Sequence, residues 1–84
     1  MMFIGYDPIG KTLQQVAIET EPCVNGYSVF VLQGFDDPIG EELCCSWSVG
    51  EIIRKFPDVA NCKVKFTNDF FGMMVLRVTK ENEQ

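Results

Sequence analysis

The stretch Val16-Ala17-Ile18-Glu19-Thr20-Glu21-Pro22-Cys23-Val24-Asn25-Gly26-Tyr27-Ser28-Val29-Phe30-Val31-Leu32-Gln33 decides how the chain folds. Val16, Ile18, Thr20, Pro22 and Val24 alternate with Ala17, Glu19, Glu21 and Cys23, the period-two pattern of a half-buried strand. Asn25-Gly26 is the strongest short hairpin signal, a type I′ turn with two positive φ angles. Tyr27 to Gln33 then returns as a strand. Its centre, Val29-Phe30-Val31-Leu32, is apolar on both faces, as in a central strand covered on two sides or lying near a partner. Pro22 cannot donate to a ladder, which places the first strand at a sheet edge. A second reading of the preceding segment stays open: Asp7 as a helix N-cap and Pro8 as its first residue, with Ile9, Leu13, Val16 and Ala17 as a helical stripe.

Working outward, Gly5-Tyr6-Asp7-Pro8-Ile9-Gly10 is echoed by Gly34-Phe35-Asp36-Asp37-Pro38-Ile39-Gly40, with one inserted Asp. Asp, Pro and Gly at these offsets suit a type I turn, so the echo reads as one turn chemistry used twice, each time reversing a strand. After the second copy, Leu43, Cys45 and Trp47 are expected to face the core, with Cys44, Ser46 and Ser48 facing away. Ser48-Val49-Gly50-Glu51 has capping-box spacing and opens a short helix over about residues 49–56. Its apolar face is Ile52, Ile53 and Phe56, and Pro57 stops it. Cys62, Val64 and Phe66 alternate inward along a further strand, Asn68 to Gly72 form a connection, and Met74, Leu76 and Val78 line one face of the returning strand. The tail, residues 80–84, is polar and expected to fray. The expected fold is α+β: a single domain over residues 1–84, with a mostly antiparallel sheet of about five or six strands and one short α-helix packed on it.

Composition narrows the function. The 84 residues are 46% hydrophobic and 23% charged, ordinary for a globular domain. Twelve acidic residues against seven basic ones give a net charge of −5, and histidine is absent. Ser-His-Asp and Cys-His mechanisms and His-containing zinc sites are therefore excluded within this chain. Residues 1–53 carry Lys11 as their one cation and a balance of −7; residues 54–84 carry a balance of +2. No phosphate-loop or dinucleotide-binding glycine pattern occurs. The opening residues Met1 to Asp7 lack a basic n-region, and no apolar run approaches the roughly 20 residues of a membrane span. The expectation is a cytoplasmic protein, with Cys23, Cys44, Cys45 and Cys62 as free thiols whose spacing matches no zinc ribbon.

Four groups of residues could carry a function. Asp36, Asp37, Glu41 and Glu42 surround the second turn and read as a solvated loop, a contact for a basic partner surface or a hard-cation site. Phe70 and Phe71 read either as one core ring with a half-exposed neighbour or as a protein-binding hot spot. Lys63, Lys65 and Arg77 would share a sheet face that could bind phosphates, against the acidity of the chain as a whole. Cys44, among serines and four residues before the capped helix, is a weak candidate nucleophile with no histidine to assist it.

These observations lead to the expectation of a small, acidic, non-enzymatic protein-binding module without cofactor or metal. It would be an inhibitor or adaptor of a larger protein or nucleoprotein assembly, in the manner of compact acidic proteins from mobile elements. The alternatives are nucleic-acid binding through Lys63, Lys65 and Arg77, and a homodimer built by sheet extension.

Overall fold

The structure is a computed structural model that describes residues 5–34 and 36–80. The opening residues 1–4, Phe35 and the polar tail from residue 81 lie outside the described residues. In the deciding stretch the helical period prevails over the alternation. Leu13–Glu19 form a helix, α1, in which Leu13 and Val16 are fully buried, Ala17 packs against the core and Ile18 faces solvent. Spacing of i, i+3 and i+4 thus decides the segment, as in the second reading above. The helix starts later than Asp7-Pro8 suggested, because Thr12 and Gln15 form a reciprocal cap. The Thr12 hydroxyl accepts from the Gln15 amide at 3.1 Å, and Gln15 Oε1 accepts from the Thr12 amide at 2.9 Å. Thr20 closes the helix, its amide and hydroxyl both donating to the Val16 carbonyl.

With a helix rather than a strand before it, Asn25-Gly26 is not a hairpin turn. The Gly26 amide bonds the Cys23 carbonyl at 2.9 Å, and only Gly26 has positive φ, so the turn is not type I′. Pro22 likewise lies outside any strand. The remaining elements are β1 (Tyr27–Leu32), β2 (Glu41–Ser46), α2 (Val49–Lys55), one 3₁₀ turn (Pro57–Val59), β3 (Lys63–Phe70) and β4 (Met73–Thr79). They form an α+β fold around a four-stranded mixed sheet of order β2-β1-β4-β3. β2–β1 and β4–β3 are antiparallel, while β1 and β4 run parallel. Among the described residues the strand count is four rather than five or six, and there are two helices rather than one, because residues 13–19 turn helical.

The doubly apolar β1 takes a central place, as its pattern requires. Tyr27, Val29 and Val31 share the inner face with Val64, Met74, Leu76 and Val78, and the helices cover that face with Leu13, Val16, Val49 and Ile52. Buried Tyr27 donates its hydroxyl to the Glu21 carbonyl at 2.5 Å. In α2 the Ser48 hydroxyl accepts from the Glu51 amide at 3.1 Å, but Glu51 does not reach back; its carboxylate pairs with Arg54 instead. Pro57 ends the helix as expected.

Two β-bulges correct the alternation read from the sequence. Val29 faces Cys44 and Phe30 faces Glu42, leaving Leu43 as an extra residue on β2. From there the parity reverses. Leu43 and Cys44 both pack against the core, whereas Cys45 and Trp47 are exposed. In β3, Val64 faces Val78 and Phe66 faces Arg77, leaving Lys65 extra. Cys62 and Val64 therefore point inward as expected, but Phe66 goes to the opposite face and is 51% exposed.

The Asp-Pro-Ile-Gly echo holds in three dimensions. Asp7 Oδ1 accepts from the Ile9 amide at 3.1 Å and Asp37 Oδ1 from the Ile39 amide at 3.2 Å, with Gly10 and Gly40 at positive φ. The second turn leads into β2, but the first leads into α1. On the way, Gly10 to Thr12 pair with the start of β3: the Gly10 amide bonds the Val64 carbonyl, and the Val64 amide bonds the Lys11 carbonyl, both at 2.9 Å. Leu13→Ala is expected to cost about 3 kcal/mol in denaturant unfolding, the usual cost of emptying a fully buried leucine site. Ile18→Ala, which an alternating strand would make equivalent to Val16, should change stability by less than about 0.5 kcal/mol.

Candidate functional site

β3 and β4 are joined by two residues, Phe71 and Gly72, at φ +52° and +87°. Two positive φ angles in a two-residue hairpin make a type I′ turn, whose preferred first residue is Asn or Asp. Phe71 is the one non-glycine at positive φ among the described residues. For an L-residue that conformation costs roughly 1–2 kcal/mol. The second position suits glycine, since φ of +87° strains any L side chain, and a Cβ there would also push the Asn25 amide aside from 2.6 Å. Asp69 Oδ1 accepts from the Gly72 amide at 2.7 Å and holds the turn. Phe71 is 90% exposed, its ring edge-on to that of Phe70 with centroids 4.7 Å apart. Phe70 is itself 55% exposed. Neither ring is a core residue, so neither explains why a strained position holds a phenylalanine.

The same end of the sheet carries two more exposed apolar side chains. Met74 donates its amide to the Gly26 carbonyl, and Cys23 donates its amide to the Trp47 carbonyl at 2.8 Å, which ties the 23–26 turn between the hairpin tip and the end of β2. Trp47 is 64% exposed and Val24 90%. Trp47, Val24, Phe71 and Phe70 thus follow one another along a rim. Trp47 was expected in the core, and the bulge at Leu43 is what turns it out. Val24, beside a legible turn, could have been placed at the surface.

The acidic group lies at the other end. β1 runs from the rim to the 33–40 loop, so its six residues put roughly 20 Å between Phe71 and the loop carboxylates of Asp36 and Asp37, while the Glu42 carboxylate reaches back to Ser28 near the start of β1. Asp37 is occupied inside the loop. Its carboxylate accepts from the backbone amides of Gln33 at 2.9 Å, Ile39 at 3.2 Å and Gly40 at 2.9 Å, which together hold it below the usual carboxylate range. Glu42 accepts from the Ser28 hydroxyl, and Asp36 lines an open cleft with Leu32, Pro38, Lys65 and Phe66. Among the described residues no three His, Cys, Asp or Glu side chains come together to hold a metal. Of the six residues singled out for a partner, Asp36, Asp37 and Glu41 thus lie at the loop end and Phe70 and Phe71 at the rim, with the Glu42 carboxylate between them at Ser28.

Strand pairing puts Lys63 and Arg77 on the face opposite the helices, as expected, but Arg77 is already engaged there. Arg77 donates through Nε to the Ile39 carbonyl at 2.9 Å and through its terminal nitrogen to Asn68 Oδ1 at 2.6 Å, with its guanidinium 4.8 Å over the Phe30 ring. It fastens the 33–40 loop to the sheet. Lys63 pairs across from Thr79, and Lys65 sits in the bulge beside the acidic loop. Cys44, expected among the outward serines, packs against the core, its thiol donating to the Cys45 carbonyl. Cys45 is the exposed member of the pair, and burial pushes the Cys62 thiol up.

Comparison of the chain with protein-family models, with curated proteins and with solved structures finds no match. Among the described residues no helix is long and apolar enough to cross a membrane.

Because Asp37 titrates below its unfolded value, its hold on the loop is complete above the ordinary carboxylate range and is lost as the pH falls through the depressed pKa. Amide exchange of Ile39 and Gly40 is expected to accelerate sharply at acid pH relative to β1 amides. In Asp37→Ala the same amides should exchange rapidly at neutral pH, with the pH dependence gone.

Proposed function

We propose that the protein is a non-enzymatic binding module that engages a protein partner through the apolar rim Trp47, Val24, Phe71 and Phe70. The observation that supports this reading is Phe71: a bulky ring held in a left-handed turn, where Asn would be favoured, and left 90% exposed. Unfavourable backbone conformations persist where a function requires the side chain, and exposed Trp and Phe anchors dominate interface energies. The rim offers apolar anchors with Asn25 and Asp69 beside them, which suits a partner with an apolar groove edged by hydrogen-bonding groups. An inhibitor or adaptor role on a larger assembly fits this mode, in which the small domain contributes shape and anchors and the partner contributes the activity. The acidic loop, at the far end of the sheet, would add long-range attraction for a basic partner.

Stability and affinity should move in opposite directions. Phe71→Asn places a favoured residue in the type I′ turn and is expected to raise stability by about 1 kcal/mol. The same substitution should abolish capture of the partner from a lysate of the source cell in the presence of nuclease. Captured material that disappears with nuclease, or a partner retained by both Phe71→Asn and Trp47→Ser, would overturn the reading.

A further inference from the structure

We propose that the uncovered half of β3, Phe66–Phe70, is a self-pairing edge on which a second copy of this chain adds its own β3 antiparallel, giving one continuous eight-stranded sheet. β3 is the outermost strand, and its first half is covered by Gly10 to Thr12, whose last contact along the edge is Val64. Beyond the bulge at Lys65 nothing among the described residues pairs with it, and Asn68, Asp69 and Phe70 are exposed. Phe70 and Met73 flank a two-residue turn and so form a hydrogen-bonded pair; alternation makes Asn68 and Val75 another. The main-chain groups of Thr67 and Asp69 are therefore the ones that point away from β4.

One register satisfies this edge against itself. With Thr67 opposite Asp69 of the second copy, and the reverse, four N–H···O bonds form about a two-fold axis through Asn68. Phe66, 51% exposed, then lies opposite the second copy's Phe70 on the same face, twice over, giving two aromatic cross-strand pairs. Charge selects the same arrangement. The strand is cationic where it begins, at Lys63 and Lys65, and anionic where it ends, at Asp69, so antiparallel addition sets opposite ends side by side. Sliding by one pair in one direction would set Asp69 against its own copy. Sliding in the other would bring Phe70 onto Val64, whose amide and carbonyl Lys11 and Gly10 already hold. The opposite edge offers no equivalent, because the bulge at Leu43 interrupts β2 in its middle and Glu41 and Glu42 crowd its start.

The test is the solution mass of the full chain by sedimentation equilibrium from low micromolar to near millimolar concentration. A monomer–dimer equilibrium is expected. Thr67→Pro removes an outward amide without touching the β3–β4 ladder and should weaken the dimer by about tenfold or more. The register is read independently with Asn68→Cys in a Cys45→Ser background. The two-fold places these positions about 4.5 Å apart between Cα atoms, within disulfide range, so oxidation should crosslink the dimer. Thr67→Cys in the same background, opposite Asp69, should not crosslink. Phe71→Asn should leave the mass unchanged, which separates this edge from the rim, with which it shares Phe70. A chain that stays monomeric throughout, or a dimer that survives Thr67→Pro, would overturn the proposal. If Thr67→Pro does not fold, failure of Asn68→Cys to crosslink overturns it instead.

Discussion

Val29-Phe30-Val31-Leu32 must be shielded on both faces, and most of the architecture answers that one demand. On the inner face, two short helices, each too short to persist alone, bring Leu13, Val16, Val49 and Ile52 onto Val29 and Val31. Among the described residues no helix covers the outer face. Phe30 is instead covered by the Arg77 guanidinium, and the 33–40 loop is drawn over the sheet by the Arg77 bond to the Ile39 carbonyl. The Asp37 carboxylate, gathering three amides, keeps that loop in the shape the bond needs. Ion and hydrogen-bond chemistry at this end of the molecule is thus structural first. That is why the acidic turn and Arg77, both conspicuous in the sequence, contribute less free surface than their charges suggest.

How far the sequence could be read depended on whether the deciding interaction was local. The central place of β1, the β3–β4 hairpin, the Pro57 stop and the paired Asp-Pro-Ile-Gly turns all rest on residues within a few positions of one another, and all are present. Residues 13–24 carried two periods at once. What separated them was the Thr12–Gln15 cap, a local signal with the same spacing as the one recognised at Ser48–Glu51. The faces of Trp47 and Phe66 were not legible, because each depends on a bulge with no residue signature. Leu43 and Lys65 are ordinary strand residues, and only the pairing across the sheet shows that they are extra. At the candidate site, Phe70 and Phe71 could be marked from their adjacency to Gly72, but their grouping with Trp47 and Val24 arises from tertiary contacts through Asn25 and Cys23.

The sheet has two chemically distinct ends. Aromatic and aliphatic side chains crowd the end where β1 begins, while carboxylates and lysines mix at the end where β1 finishes. Excess carboxylates at the latter end act over a distance set by salt screening, whereas the exposed rings at the former offer strong contact energy only at touching distance. A partner steered by the first and anchored by the second would have to lie along the strands.

The parallel pairing of β1 with β4 carries a kinetic consequence. It matches Tyr27 with Met74, 47 positions apart, while β3 and β4 meet through a turn of two residues. Chain-closure entropy makes the hairpin the early structure and the β1–β4 ladder the late one. Until β1 docks, β4 exposes both its apolar face and an unpaired edge. The nascent chain emerges in the opposite order, β1 first, so its most apolar strand must wait until Met73–Thr79 is made before the strand it lies parallel to exists.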